Sequence, residues 1–182
     1  MSAYLKQGVS IDAPNPGAVI AVQTFGDFLN FNSHLHIIAT DGGFDSHDNF
    51  MVSTMPNPSD LEELFRTEIF RMLKKERKIN DSLIENMMNW HNSGFNVYCG
   101  ESIQPENQEG IERLAQYVVR APISQERMTY IPKHESPDGV AYVIYESKSG
   151  DTTETFTALD WLARIVTHIP NRGEQLVRYF YA

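Results

Sequence analysis

An apolar, β-branched run that stops at Asp41-Gly42-Gly43 carries two histidines at its head: His34-Leu35-His36-Ile37-Ile38-Ala39. Such a run, closed by Asp-Gly-Gly, specifies a strand and its end. On a strand, residues i and i+2 share a face and lie about 7 Å apart along the backbone. His34 and His36 can therefore converge on one ion, while Leu35 anchors the strand on the core side. A bare His-x-His also fits two ordinary strand histidines.

The remaining pattern predicts an α+β chain. Met1 to Pro16 reads as an irregular lead-in, and Ala18 to Thr24 as a buried strand. A return strand is expected near Asn49–Thr54. Ser59-x-x-Glu62 is a capping box opening a long helix with Leu61, Leu64, Phe65, Ile69, Met72 and Leu73 at helical spacing. Asp81 caps a second helix to about His91, with Leu83, Ile84, Met87 and Met88 inward. Gly94 to Gly100 reads as a short strand. A third helix spans about Glu109 to Ala121, where Pro122 stops it. A meander follows over Met128–Pro132, Val140–Glu146 and Thr153–Phe156. Thr157-x-x-Asp160 caps a closing helix with Leu159, Leu162 and Val166 inward, and Gln175 to Tyr181 forms a last strand. No linker interrupts this order, so residues 17–182 read as a single domain.

Composition excludes several classes. No run reaches the ~18 apolar residues of a membrane span, and the N-terminus lacks the apolar core of a secretory signal. The lone Cys99 excludes an internal disulfide and suits a reducing, cytoplasmic setting. A net charge of −9 argues against nucleic-acid binding, but the charge is uneven. Arg66, Arg71, Lys74, Lys75, Arg77 and Lys78 face only Glu68 and Glu76 in their segment. Arg113, Arg120, Arg127 and Lys133 face only Glu112 and Glu126 in theirs.

The third helix also carries a tyrosine. Ile111, Leu114, Ala115 and Val118 form a core-facing stripe. Tyr117 lies about 120° from Ile111 at 100° per residue, on the outer face with Arg113 and Arg120. It is either a surface ring stacked between guanidiniums or a phosphate-seeking nucleophile, its phenolate favoured by the two cations.

The stretch from Phe25-Gly26-Asp27 through His34-Leu35-His36 to Asp41-Gly42-Gly43-Phe44 resembles the metal-motif region of rolling-circle insertion-sequence transposases of bacteria. These are the HUH/tyrosine enzymes of the insertion-sequence ninety-one-like type. The resemblance continues in Ser93–Gly100, Glu112–Arg120, Ser124–Tyr130, Phe156–Leu162 and His168–Gln175, in unchanged order. It implies an HUH-endonuclease-like antiparallel sheet flanked by helices. It also implies a DNA transposase that cuts and rejoins single-stranded DNA at transposon ends through a 5′-phosphotyrosine. Tyr117 would be its nucleophile, and Arg113, Arg120 and Arg127 would bind DNA with help from Lys74, Lys75 and Lys78. Mg²⁺ or Mn²⁺ would be held by His34 and His36. For the third ligand Gln23 is the first candidate, Asp27 the second and Gln116 the third. Arg113 stands where two-tyrosine members carry another tyrosine, so a single-tyrosine variant is expected.

Family members begin earlier, with a cysteine-rich zinc module and a first strand, so a fragment is expected. Its alternative reading is a catalytically inactive remnant that only binds DNA. A metallohydrolase using His34, His36 and Asp41 is a further alternative. Homo-oligomer formation stays open.

Overall fold

The computed structural model describes residues 16–53 and 56–180. Most of the expected lead-in, Thr54 and Tyr181 lie outside them. In chain order the elements are β1 (Ala18–Phe25), β2 (Phe31–Ala39), β3 (Gly42–Phe44), β4 (Phe50–Val52), α1 (Pro58–Lys75), α2 (Asp81–Met88) and α3 (Gln108–Val118). They continue with β5 (Met128–Ile131), β6 (Tyr142–Glu146), β7 (Thr153–Thr157), α4 (Ala158–Val166) and β8 (Val177–Phe180). Every strand pairing is antiparallel, and the fold is α+β. The chain divides into two compact units, one of Ala18–Ala39 with Pro105–Phe180 and one built on Thr40–Gln104.

The first unit holds two sheets. In one, β1 lies between β2 and β8. Its register sets Gln23 opposite His34 and Ala21 opposite His36. Opposed residues share a face, so Gln23, Ala21, His34 and His36 project from one side. The second sheet is the meander β5-β6-β7, whose turns end on Gly139 and Gly150 at φ of 71° and 77°. Glycine takes that left-handed conformation without a Cβ clash. The core joins Leu29, Val143, Tyr145, Phe156 and Trp161. The Trp161 ring lies 4.8 Å from that of Tyr145 and 5.3 Å from that of Phe156.

Thr157 caps α4 as the sequence predicts, accepting from Asp160 N at 3.1 Å. The buried stripe differs. Leu159, Leu162 and Val166 are outward and more than half exposed, while Trp161 and Ile165 take the core face. The indole removes the most apolar area from water, so it fixes the helix rotation. Leu35 is also corrected: it is 41% exposed rather than core-side.

In the Thr40–Gln104 unit, β3 and β4 pair through Gly42 and Val52, Gly43 and Met51, and Phe44 and Phe50. A Cβ on Gly42 would strike the Met51 carbonyl oxygen, so this close approach admits only glycine. The cap of α1 is Asn57 and not Ser59. Pro58 takes the first helical position, which moves the boundary two residues upstream. Asn80 likewise caps α2, accepting from Leu83 N at 2.8 Å. This helix ends at Met88 with no buried residue. The strand expected at Gly94–Gly100 does not form. Instead the Phe95 ring meets those of Phe65 and Phe70, each at 5.7 Å. Lys74 pairs with Asp81 at 2.6 Å and Arg71 with Glu68 at 2.8 Å. No helix among the described residues is long and apolar enough to cross a membrane.

Candidate metal and tyrosine site

The site forms where the end of α3 meets the histidine face of β1 and β2. Asn107 caps α3 by accepting from Gly110 N at 2.9 Å. At the other end the Gln23 amide nitrogen donates to the Val118 carbonyl at 2.9 Å. That carbonyl belongs to the last turn, where a helix leaves its acceptors without internal partners. Gln23 is 5% exposed and Ala21, beside it, 2%. The stripe expected to bury α3 is only partly realised. Val118 is buried and Leu114 half-buried, but Ile111 is 45% exposed.

Docking the end of α3 brings Tyr117 to the histidines. Its ring centroid lies 4.9 Å from that of His36, edge to face at 78°. The His34 and His36 rings are also 4.9 Å apart. Arg120 lies over the Tyr117 ring at 5.4 Å and over Phe25 at 5.9 Å. Tyr117 remains 48% exposed.

The donor chemistry fits a divalent ion. The Gln23 amide must donate to a carbonyl, which assigns its orientation and leaves Oε1 free. Among the described residues, three buried side-chain polar atoms have no hydrogen-bond partner: Arg66 Nε in the other unit, and Gln23 Oε1 and His36 Nε2 together on this face. Buried polar atoms without partners are uncommon and call for an explanation such as an ion. His34 Nδ1 sits 2.7 Å from the Asn32 carbonyl, to which it donates. In the neutral ring this leaves the Nε2 lone pair available, the usual outer-shell arrangement of a ligating histidine. Burial, then the neighbouring His34 and Arg120, hold the His36 pKa below the ordinary histidine value and favour its neutral form. No cluster of three or more His, Cys, Asp or Glu side chains suited to a metal occurs among the described residues. Beside the two histidines, Gln23 offers a carboxamide oxygen. Asp27 is exposed in the turn after β1, and Gln116 is exposed on α3.

The arginines separate. Arg120 joins the site, whereas Arg113 pairs with Glu109 at 3.5 Å. Arg127 stacks on Tyr145 at 4.9 Å and donates to the Glu146 carbonyl at 3.2 Å. Asp41 accepts from Ser102 Oγ within the Thr40–Gln104 unit.

Two further residues, Arg164 and His168, hold the connection between β1 and β2, and the sequence pattern does not single them out. Its turn puts Phe28 and Leu29 at φ of 53° and 56°, in the left-handed region that non-glycine residues seldom adopt. Arg164 donates to the Phe28 carbonyl at 3.2 Å and to Asn30 Oδ1 at 2.9 Å. His168 Nε2 donates to the Leu29 carbonyl at 2.9 Å, and Nδ1 lies 2.9 Å from the Thr24 hydroxyl. Phe31 is 72% exposed beside that histidine.

The sequence model of a family described as "Putative transposase" matches residues 17–181. No curated protein and no solved structure matches the chain.

Proposed function

We propose, from the premise that this chain belongs to that transposase family, that its first unit is a metal-dependent nuclease for single-stranded DNA. Tyr117 is the nucleophile, and Gln23, His34 and His36 hold the ion. The reading rests on one juxtaposition: the Tyr117 ring lies against His36, whose Nε2 is buried without a partner, on the face that carries Gln23. Bound there, Mg²⁺ or Mn²⁺ supplies Lewis acidity to a phosphodiester oxygen.

The chain's own groups then have defined tasks. Tyr117 Oη forms the new bond to phosphorus as the bond to the 3′-oxygen breaks. The phenolic proton ends on that oxygen, giving a free 3′-hydroxyl and a 5′-phosphotyrosine. A phosphoester is exchanged rather than hydrolysed, so the strand can be rejoined elsewhere without an energy source. Arg120, above the ring, is placed to receive a phosphate oxygen. Cleavage and rejoining of this kind at transposon ends would move a strand to a new site.

The test is a denaturing gel of the protein mixed with Mn²⁺ and single-stranded DNA labelled at its 3′ end, the end that stays with a 5′-phosphotyrosine. A labelled band that migrates with the protein after boiling is expected from wild type and not from Tyr117→Phe. An equal band in Tyr117→Phe would move the nucleophile to another residue. Cleaved DNA without any adduct would favour hydrolysis by metal-bound water.

A further inference from the structure

The pairing of β1 with β2 slips by one residue between Gln23 and Phe25. Gln23 faces His34, but Phe25 faces Phe31, so Asn32 and Ser33 together stand opposite Thr24. Strict alternation along β2 would put Phe31 with Leu35 on the face away from the histidines. The extra residue reverses this. Phe25 shares the Gln23 face by alternation, and its partner Phe31 returns to it. Bulges often re-aim a side chain beside an active site, and here the re-aimed side chain is a large aromatic left 72% exposed.

Phe31 is the outer end of a row of contacts that starts at the candidate metal ligands. Tyr117 touches His36, and Arg120 spans Tyr117 and Phe25. Phe25 meets His168 edge-on at 6.0 Å, and Phe31 lies nearly parallel to His168, with 11° between the planes at 6.4 Å. Both ring nitrogens of His168 are engaged, which holds that ring in place. An exposed ring so mounted loses little freedom on binding a second flat ring.

We propose that Phe31, backed by His168, is a stacking platform for one unpaired base of the DNA strand cut at Tyr117. The inference rests on the nuclease reading above and adds a base-binding position to it. An unpaired base offers an open face for stacking, whereas a paired one is covered within the duplex. Among the described residues Arg120 has no carboxylate partner, so the same row carries a cation for the backbone between the base and the scissile phosphate.

The experiment compares two fluorescein-labelled probes without divalent ion, so that no cleavage intervenes. One is a short oligothymidylate, and the other is an abasic strand of the same length and charge. Wild type should prefer the strand with bases by about tenfold, the scale of one base–aromatic stack. Phe31→Ala should remove most of that preference while binding the abasic strand as wild type does, and Phe31→Trp should restore it. The wide exposure of Phe31 lets these variants fold. An unchanged preference in Phe31→Ala overturns the platform while leaving the nuclease reading intact. No binding of either probe by wild type would overturn both.

Discussion

The Gln23 side chain donates its amide hydrogen to the Val118 carbonyl and leaves its oxygen without a protein partner, although the residue is 5% exposed. One end of the carboxamide secures the last turn of α3, and hence Tyr117. The other faces outward from the sheet side that bears the histidines. The position of Tyr117 and the availability of a free carboxamide oxygen thus depend on one residue.

That dual role separates two substitutions. Gln23→Leu should cost roughly 1–3 kcal/mol in metal-free stability, because it strands a buried carbonyl. It should also remove the Mn²⁺-induced rise in Tm that binding to the folded state alone produces. Gln23→Glu loses the same donor but supplies a harder oxygen, so its Mn²⁺ shift should match or exceed that of wild type. His34→Ala and His36→Ala should each abolish the shift. An undiminished Mn²⁺ shift in Gln23→Leu would exclude this residue as a ligand.

Acid stability tests the His36 environment. Its folded pKa is lowered by burial first, then by His34 and Arg120. The unfolded chain, with a value near ~6.5, takes up the proton before the folded one does. Stability should therefore fall as pH drops through that value, and this contribution should level off below the folded pKa. Metal-free melting measured across this range should show the decline in wild type and a shallower one in His36→Asn. Superimposable curves would mean that His36 is no more hindered from charging in the fold than out of it.

The salt dependence of DNA binding should separate the three arginines. Each lost phosphate contact lowers the slope of log affinity against log salt by about one. Arg120→Ala should show that loss. Arg113→Ala and Arg127→Ala should change it less, since one side chain pairs with Glu109 and the other is committed to Tyr145 and the Glu146 carbonyl. Three equal losses would point to a diffuse basic surface.

How much of this was legible depends on the range of the interaction. The histidine strand, the meander turns and the Thr157 cap are set by short-range rules, and the sequence states them directly. Spacing alone does not decide the rotation of α4, because Leu159, Leu162 and Val166 satisfy the helical period as well as Trp161 and Ile165 do. Only tertiary packing of the indole on Tyr145 and Phe156 decides between the stripes. The Gly94–Gly100 stretch has strand-like composition but no partner strand among the described residues, and Phe95 packs on α1 instead. The bulge that turns Phe31 was invisible for a similar reason. Register is a property of two strands together, and nothing in Asn32-Ser33 alone announces it.

That bulge is held through the turn beside it. Phe28 and Leu29 sit at positive φ, and such residues persist only where surroundings over-determine them. Leu29 is 3% exposed in the core, and Arg164 and His168 hold the turn carbonyls from the far end of the chain. Arg164→Ala removes the two charged hydrogen bonds to the turn, together with a longer 3.5 Å contact to Asp160 and the stacking on Phe156 at 4.6 Å, so a loss of at least roughly 1.5–3 kcal/mol is expected. The effect should be local before it is global. The Gly26 and Asn30 amides, which donate to the Asn30 and Asp27 carbonyls, should exchange with deuterium faster in the variant. The β5–β6–β7 amides should keep their protection relative to global stability. The Mn²⁺ shift should weaken as well, because the turn joins the strands that carry Gln23 and His34. Uniform loss of protection across both sheets would show that Arg164 supports the fold at large rather than the turn that shapes the site.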